Sequence, residues 1–501
     1  MAEQQRLGTG GLGMNFSEYR SMDGIALAAA LSKGELLPKD AMRLAQDAAE
    51  VVDRVCNAIT YRRYAAAMVD AEKCTPGGER FDGVPFLLKD SGLASTDLQS
   101  STGSRLLKNT SFARDATLTE RFRKAGFISF ARTAVPEFCM APTTEALCNG
   151  GPTRNPFDLT RSSGGSSGGA AVAVAAGVVP IAHGSDGGGS IRVPAASCGI
   201  FGLKPSRGLV PMGPFRGEGW GGLACDGVLS RSVRDTARVM DLVGGMEPGA
   251  PYASPSFRGG FEDAVRNGSV PPLRIGLWTD PWGLDVDAPC LAAAEATAEA
   301  CRSLGHYVVR LQPPVFDYPA FIAAIITIMS VNIAASVDKK LAGSGRMVTE
   351  DDLEPAILDG YNLGRSTLGG SYVQAINLLH ATGRMMVEMM SECDIIISPT
   401  LTSLPVKLGT ISTEVRSFKE FRENAGKLTA FLAIINASGQ PAASLPMWRH
   451  EGLPVGVQLI GHFGRDDIVL ALSGQLEKSR LWKDAAQFPR LAEMERTSRG
   501  A

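Results

Sequence analysis

Two serine clusters, both crowded by glycine, carry the chemistry this sequence could do. Gly164-Gly-Ser-Ser-Gly-Gly169 holds Ser166 and Ser167, and Gly187-Gly-Gly-Ser190 ends on Ser190. Glycine has no Cβ to block close approach, so backbone N–H groups in such runs can converge on one point. A serine closing the run can then be a nucleophile at the edge of its own oxyanion hole. The plain alternative is a flexible Gly/Ser linker. Against it, an Ala/Val-rich run reaching His183 lies between the clusters, and the second leads into Ile191-Arg-Val-Pro194. Linkers do not usually embed a helix-compatible apolar run.

A serine nucleophile needs a base. His183 stands on an apolar stretch, where a histidine is usually a satisfied core residue. Lys89 follows the strand-like run Val84–Leu88. Lysines at strand ends are usually solvated; this one gains weight from its coincidence with the serine clusters. To act as a base it must be neutral, and at a pKa of about 10.4 only roughly 1 lysine in 2,500 is neutral at pH 7. Burial beside the apolar run would bring it toward the range of about 7 to 8 that catalytic lysines reach. Asp90 would oppose this by favouring the cation, so alternation along the strand is expected to turn it away.

Two rival readings of the glycine runs fail on context. Gly-x-Ser-x-Gly matches at Ser166 and at Ser167, but a nucleophile elbow needs a strand directly before it. Here the preceding residues, Arg154–Arg161, are polar and broken by Pro156. Neither phosphate-binding pattern, Gly-x-x-x-x-Gly-Lys-[Ser/Thr] or Gly-x-Gly-x-x-Gly, is present near the clusters.

The elements that must position these residues alternate between strand and helix. Helical spacing recurs over 22–31, 40–55, 116–124, 170–176, 288–304, 318–342, 369–392, 416–436 and 466–476. Strand-like runs fall at 83–90, 127–131, 178–182, 273–278, 307–311, 394–399, 441–445 and 455–460. The Pro/Gly-rich stretch 247–272 reads as a long loop that does not divide the chain, because strands continue on both sides. The pattern implies one large α/β domain with a mixed sheet over 15–490, a loose arm at 1–14 and a tail at 491–501.

Composition narrows the class. With 44% hydrophobic and 20% charged residues the chain reads as soluble and globular, and a net charge of -2 without a basic block gives no electrostatic grip on nucleic acid. The 9 cysteines are scattered without Cys-x-x-Cys and there are 5 histidines, so neither a zinc site nor a disulfide framework is expected. No unbroken apolar run reaches the ~18 to 20 residues of a membrane span, and residues 1–6 lack a signal-peptide profile. Reduced thiols and these absences lead to the expectation of a cytoplasmic enzyme.

Taken together, Lys89, the Gly-Gly-Ser-Ser-Gly-Gly block and Gly189-Ser-Ile-Arg192 resemble the amidase signature family of Ser-Ser-Lys amidohydrolases. The likeness extends over most of the chain, through Lys124-Ala-Gly-Phe127, Thr153-Arg-Asn-Pro-Phe157, Gly202-Leu-Lys-Pro205, Ser230-Arg-Ser-Val-Arg-Asp235, 436–446 and Gly452-Leu-Pro-Val-Gly-Val-Gln458. Ser166 and Ser190 are 24 residues apart, the separation of that family's bridging serine and nucleophile. The resemblance implies a twisted mixed sheet of about eleven strands flanked by helices, with a signature core at about 80–240. It also implies Ser190 as nucleophile, Ser166 as bridging serine behind a cis Gly165–Ser166 peptide, and Lys89 as base. Gly187, Gly188 and Gly189, with Ser190, would supply the oxyanion hole, and no metal or cofactor is required.

Asp186 and Arg192 flank the nucleophile loop and are expected to be structural, through a buried ion pair or loop hydrogen bonds, rather than directly catalytic, and Cys198 is expected to pack. Substrate choice is expected from 136–149, 211–226, Phe321–Ile333 and Leu368–Ala381, with Met329 and Met385 suiting an alkyl or aryl acyl group. Trp220 and Phe215 could equally wall the pocket or belong to the core. The implied partner is a small amide or carbamate: first a cyclic or linear aminohexanoate oligomer, then an aryl acylamide or urethane. The amidase component of a tRNA-dependent amidotransferase complex is the alternative of another class, and a homodimer is a family-level expectation.

Overall fold

All five residues of Pro85-Phe-Leu-Leu-Lys89 are buried, the profile of a strand covered on both faces. In the computed structural model, which describes residues 14–77, 80–257, 259–268 and 270–489, this is the second of thirteen strands. They are β1 (Ile59–Thr60), β2 (Pro85–Lys89), β3 (Ile128–Thr133), β4 (Arg154–Asn155), β5 (Asp158–Ser162), β6 (Ile181–Asp186) and β7 (Phe201–Lys204). Then come β8 (Cys225–Ser230), β9 (Arg274–Leu277), β10 (Tyr307–Arg310), β11 (Ile395–Pro399), β12 (Ala442–His450) and β13 (Leu453–Gly461). Strands β4 and β5 pair only with each other; the rest form one 11-stranded sheet in the order β1-β3-β2-β6-β8-β7-β12-β13-β11-β9-β10.

The sheet is mixed. Strands β3, β2 and β6 run parallel, with Lys89 opposite Thr133 and Leu87 opposite Ala182. From β6 to β11 neighbours are antiparallel, and β11, β9 and β10 are parallel again. Side chains alternate between two cores, as the two-residue period of a strand requires. Ile395, Ile397, Val457 and Leu459 join one core with Phe86 and Val52. Ile396 and Ile460 join the other, with Phe321, Ile328 and Phe431 from the helical layer. The molecule is a single large α/β domain.

Several elements differ from the sequence expectation. The helix expected over 416–436 is two, Phe418–Leu428 and Ala433–Ser438. The stretch 247–272 contains a helix, Phe261–Asn267, ended by Gly268 at φ 57°. The strand expected at 178–182 begins only at Ile181, because Val178 N–H still donates to Ala173 O at the end of the preceding helix. A strand, β5, does precede the first serine cluster, but it belongs to the detached hairpin. Among the described residues, the helix Tyr318–Leu341 has the length and composition to cross a membrane, with a window of mean hydropathy 2.2 that is 61% buried. Thr327, Ser330 and Asn332 interrupt its apolar sequence, and Phe321, Ile325 and Ile328 pack into the second core. The arm expected over 1–14, apart from Met14, and the tail over 491–501 lie outside the described residues.

Candidate active site

Lys89 ends β2 with no solvent exposure. Its Nζ lies 2.7 Å from Ser166 Oγ, 2.9 Å from Ser185 Oγ and 3.1 Å from the Ser185 carbonyl oxygen. Burial pulls its pKa below the ordinary lysine value and wins over Cys139, Asp226 and Asp186, which act to raise it. Asp90 faces away: its carboxylate accepts from Ser100 Oγ, from Ser101 N–H at 3.0 Å and from Ser101 Oγ at 2.6 Å. The backbone N–H of Lys89 donates to His183 Nδ1 at 3.2 Å, and His183 Nε2 lies 3.1 Å from Asp226 Oδ1. His183 is therefore a buried strut between β2 and β8, and burial lowers its pKa.

Ser166 sits at the turn before the helix Gly168–Ala175, behind a cis Gly165–Ser166 peptide. Glycine is required at 165 for space: a Cβ there would stand 2.3 Å from the Thr143 carbonyl oxygen. The two serine clusters are joined by Ser167 N–H donating to Ser190 O at 3.2 Å. Ser166 and Ser190 line one cavity of about 190 Å³. The side-chain hydrogen bonding runs from Lys89 to Ser166 and does not extend to Ser190 Oγ.

The Ser190 loop is held by a buried ion pair. Arg192 Nε and NH2 donate to Asp186 Oδ2 and Oδ1, both at 2.9 Å. The same guanidinium reaches Gln458 Oε1 at 2.7 Å and Asn436 Oδ1 at 2.6 Å. Burial pushes the Asp186 carboxyl up, but Arg192 and Asn436 outweigh it and hold the group well below the usual carboxylate range. Asp186 Oδ1 also accepts the Gly189 N–H at 2.7 Å, with Gly189 at φ 123°, a conformation that favours glycine. The Gly189 N–H, expected in the oxyanion hole, is here donated to Asp186. Among the described residues, the N–H groups of Gly187, Gly188 and Ser190 meet no protein acceptor. Cys198 is buried in the helix Arg192–Cys198, its thiol near Ser163 O.

The cavity wall matches part of the expected specificity regions. Phe138, Cys139 and Met140 come from 136–149, and Met212, Arg216 and Trp220 from 211–226. The helix Tyr318–Leu341 contributes Asn332 and Ser336, and Met329 borders a second, narrower cavity that also reaches Ser190. Trp220 is a wall residue, its ring so close to Gly187 that a Cβ there would meet it at 2.5 Å. Phe215 is neither wall nor core; it is half exposed beneath the Arg114 guanidinium. The stretch Leu368–Ala381 lines neither cavity, and Tyr372 and Ile376 instead back the Trp220 loop at Gly221. Met385 packs at the edge of the second core.

Residues that sequence reasoning missed are Ser185, Cys139 and Arg422. Ser185 makes two of the three polar contacts of Lys89 Nζ, and its place one residue before Asp186 was the available signal. The Cys139 thiol, raised by burial, lies against Ser166; it falls in the expected stretch 136–149 but nothing there singles it out.

Comparison with known proteins identifies the family of the chain. A profile of the Amidase family matches residues 40–470. The 6-aminohexanoate-cyclic-dimer hydrolase of Paenarthrobacter ureafaciens is 32% identical over 482 residues, covering 94% of this chain and 96% of that protein. A solved structure of 6-aminohexanoate cyclic dimer hydrolase with substrate superposes at a TM-score of 0.87, again at 32% identity, over 94% of this chain and 99% of the other. A bacterial aryl acylamidase structure superposes at 0.84 with 26% identity, over 93% and 98%. With the family profile spanning most of its length and relatives of this identity covered almost end to end, the chain belongs to the amidase family and is an enzyme acting on carbon–nitrogen bonds.

Proposed function

We propose that the chain hydrolyses carboxamides through a serine acyl-enzyme, with Ser190 as nucleophile, Ser166 as bridging serine and Lys89 as base. The observation that carries this reading is the buried Lys89 amine, 2.7 Å from Ser166 Oγ. Neutral Lys89 takes the Ser166 proton as Ser166 takes the Ser190 proton, and Ser190 Oγ bonds to the carbonyl carbon. The link from Ser166 to Ser190 closes when substrate is bound, as catalytic hydrogen bonds often do. The oxyanion receives the N–H groups of Gly187, Gly188 and Ser190. The relay returns the proton to the leaving nitrogen, the C–N bond breaks, and water then hydrolyses the ester to regenerate Ser190.

The names of the relatives put a cyclic aminohexanoate amide first and an aryl acylamide second, and a linear aminohexanoate amide offers the same bond. Leu107, Phe138, Met140 and Trp220 around the larger cavity suit an alkyl or aryl acyl group. All 9 cysteines are free thiols, which accords with a reducing, cytoplasmic setting.

Hydrolysis by the purified chain alone, screened over cyclic amides, alkyl amides, anilides and carbamates with mass-spectrometric readout, tests the reading. Ser190→Ala should lower kcat/KM by roughly 10³-fold or more with an unchanged melting temperature. Substantial residual hydrolysis by that variant would remove Ser190 from its role.

A further inference from the structure

Arg422, on the helix Phe418–Leu428, is a buried cation whose surroundings do not account for it. It is 8% exposed. Its NH1 donates to Met140 O at 2.5 Å, its Nε has no hydrogen-bond partner, and its guanidinium lies 5.8 Å from the Phe421 ring centre. Among the described residues no Asp or Glu pairs with it, and burial pulls its pKa down to about 10. Other buried arginines differ. Arg192 has Asp186, Gln458 and Asn436, and Arg132 donates to the carbonyls of Lys89, Leu93, Leu98 and Gln99. A buried charge without partners is costly unless something else completes it.

What could complete it is a ligand. Arg422 lines the narrower cavity, about 20 Å³, together with Gly188, Gly189, Ser190, Met140 and Met329. A single water takes about 10 to 15 Å³ on this measure, so the recess fits a group no larger than a carboxylate. The planar guanidinium fork suits a carboxylate in both charge and shape. Arg216, beside the larger cavity, is a weaker candidate: its NH2 already donates to Asp226 Oδ2 at 3.2 Å, and its side chain is 40% exposed.

We propose that Arg422 binds a carboxylate carried by the substrate, so that among open-chain amides the enzyme prefers acid-bearing ones: monoamides of short dicarboxylic acids, or N-acyl amino acids. This rests on the amidase reading of Ser190. Because Ser190 and Arg422 border one small recess, the carboxylate lies only a few bonds from the scissile carbonyl.

The test uses two matched pairs, succinic acid monoanilide against 4-hydroxybutyranilide, and N-benzoyl-β-alanine against N-benzoyl-3-aminopropanol. The pairs place the acid on the acyl or on the amine side. In at least one pair kcat/KM for the acid should exceed that of the alcohol by roughly tenfold or more. That ratio should fall toward unity in Arg422→Met, survive in part in Arg422→Lys, and persist in Arg216→Met. Because the ratio is internal to each variant, a general loss of activity does not affect it.

A second readout is independent of turnover. The acids should raise the melting temperature of Ser190→Ala and not of Ser190→Ala/Arg422→Met. Hydrolysis without acid preference, or a preference lost with Arg216 rather than Arg422, overturns the proposal while leaving the amidase reading intact. Arg422-dependent stabilisation by the acids in a protein that turns over none of the four compounds supports the carboxylate site and overturns the assignment of these amides as substrates.

Discussion

At the scale of single residues, the proposed chemistry turns on a lysine whose charged form is disfavoured by burial. Burial lowers the Lys89 pKa, Arg216 adds to the effect, and Cys139, Asp226 and Asp186 oppose it without prevailing. The proposed relay uses the neutral form, so kcat/KM should rise with pH through the Lys89 pKa and level off below the ordinary lysine value of about 10.4. A pH–rate profile of the wild-type chain reads this directly; a limb still rising at that value would contradict it. Lys89→Arg should be as inactive as Lys89→Met, because a guanidinium stays protonated. The sequence singled out Lys89, Ser166 and Ser190, which the structure brings to one cavity or into contact, because each sits inside a short motif of glycines or apolar residues. Ser185 and Arg422 were not, since their contacts close over 96 and 282 residues.

At the scale of elements, the loop between β6 and the helix Arg192–Cys198 shows how an ion pair can set backbone geometry. Asp186 and Arg192 are both fully buried, and Asp186 also accepts the N–H groups of Gly189 and Ile191. Removing the cation leaves a carboxylate buried and unpaired, which costs about 3 to 5 kcal/mol. Arg192→Met should therefore lower the unfolding free energy by that amount, read as a lower urea midpoint at an unchanged m-value. A loss below about 1 kcal/mol would mean the loop does not depend on the pair. The sequence showed that these two residues flank the nucleophile and belong together. It did not show that Gly189 turns its N–H toward Asp186, because composition allows any of three successive glycines to take the left-handed conformation. Periodicity likewise missed the break between the helices Phe418–Leu428 and Ala433–Ser438, where apolar residues continue without punctuation.

At the scale of the whole molecule, a pair of buried acids ties the site wall to the helical layer. Glu137 accepts Ser104 Oγ–H at 2.6 Å and the Glu354 N–H at 2.7 Å, while Glu354 accepts the Leu147 N–H at 2.8 Å. Burial, with Glu354 adding to it, pushes the Glu137 pKa up to about 8, against about 4.3 in an unfolded chain. Between those values the folded protein holds a proton that the unfolded chain releases. Stability from this group is thus full below about pH 4.3 and lost as pH rises through about 8. Melting temperatures should fall less steeply over that window in Glu137→Gln than in the wild type, and parallel curves would reject the assignment. The strand count and mixed pairing were legible through family resemblance. The pairing order, with the late strands β12 and β13 seated between β7 and β11, was not, because neighbours in a sheet need not be neighbours in sequence.

That order bears on how the protein is made. A ribosome releases Lys89, Ser166 and Ser190 early, yet Arg192 finds Asn436 and Gln458 only after another 244 and 266 residues have been added. A nascent chain therefore carries all three proposed reactive groups long before it has the brace that holds the Ser190 loop.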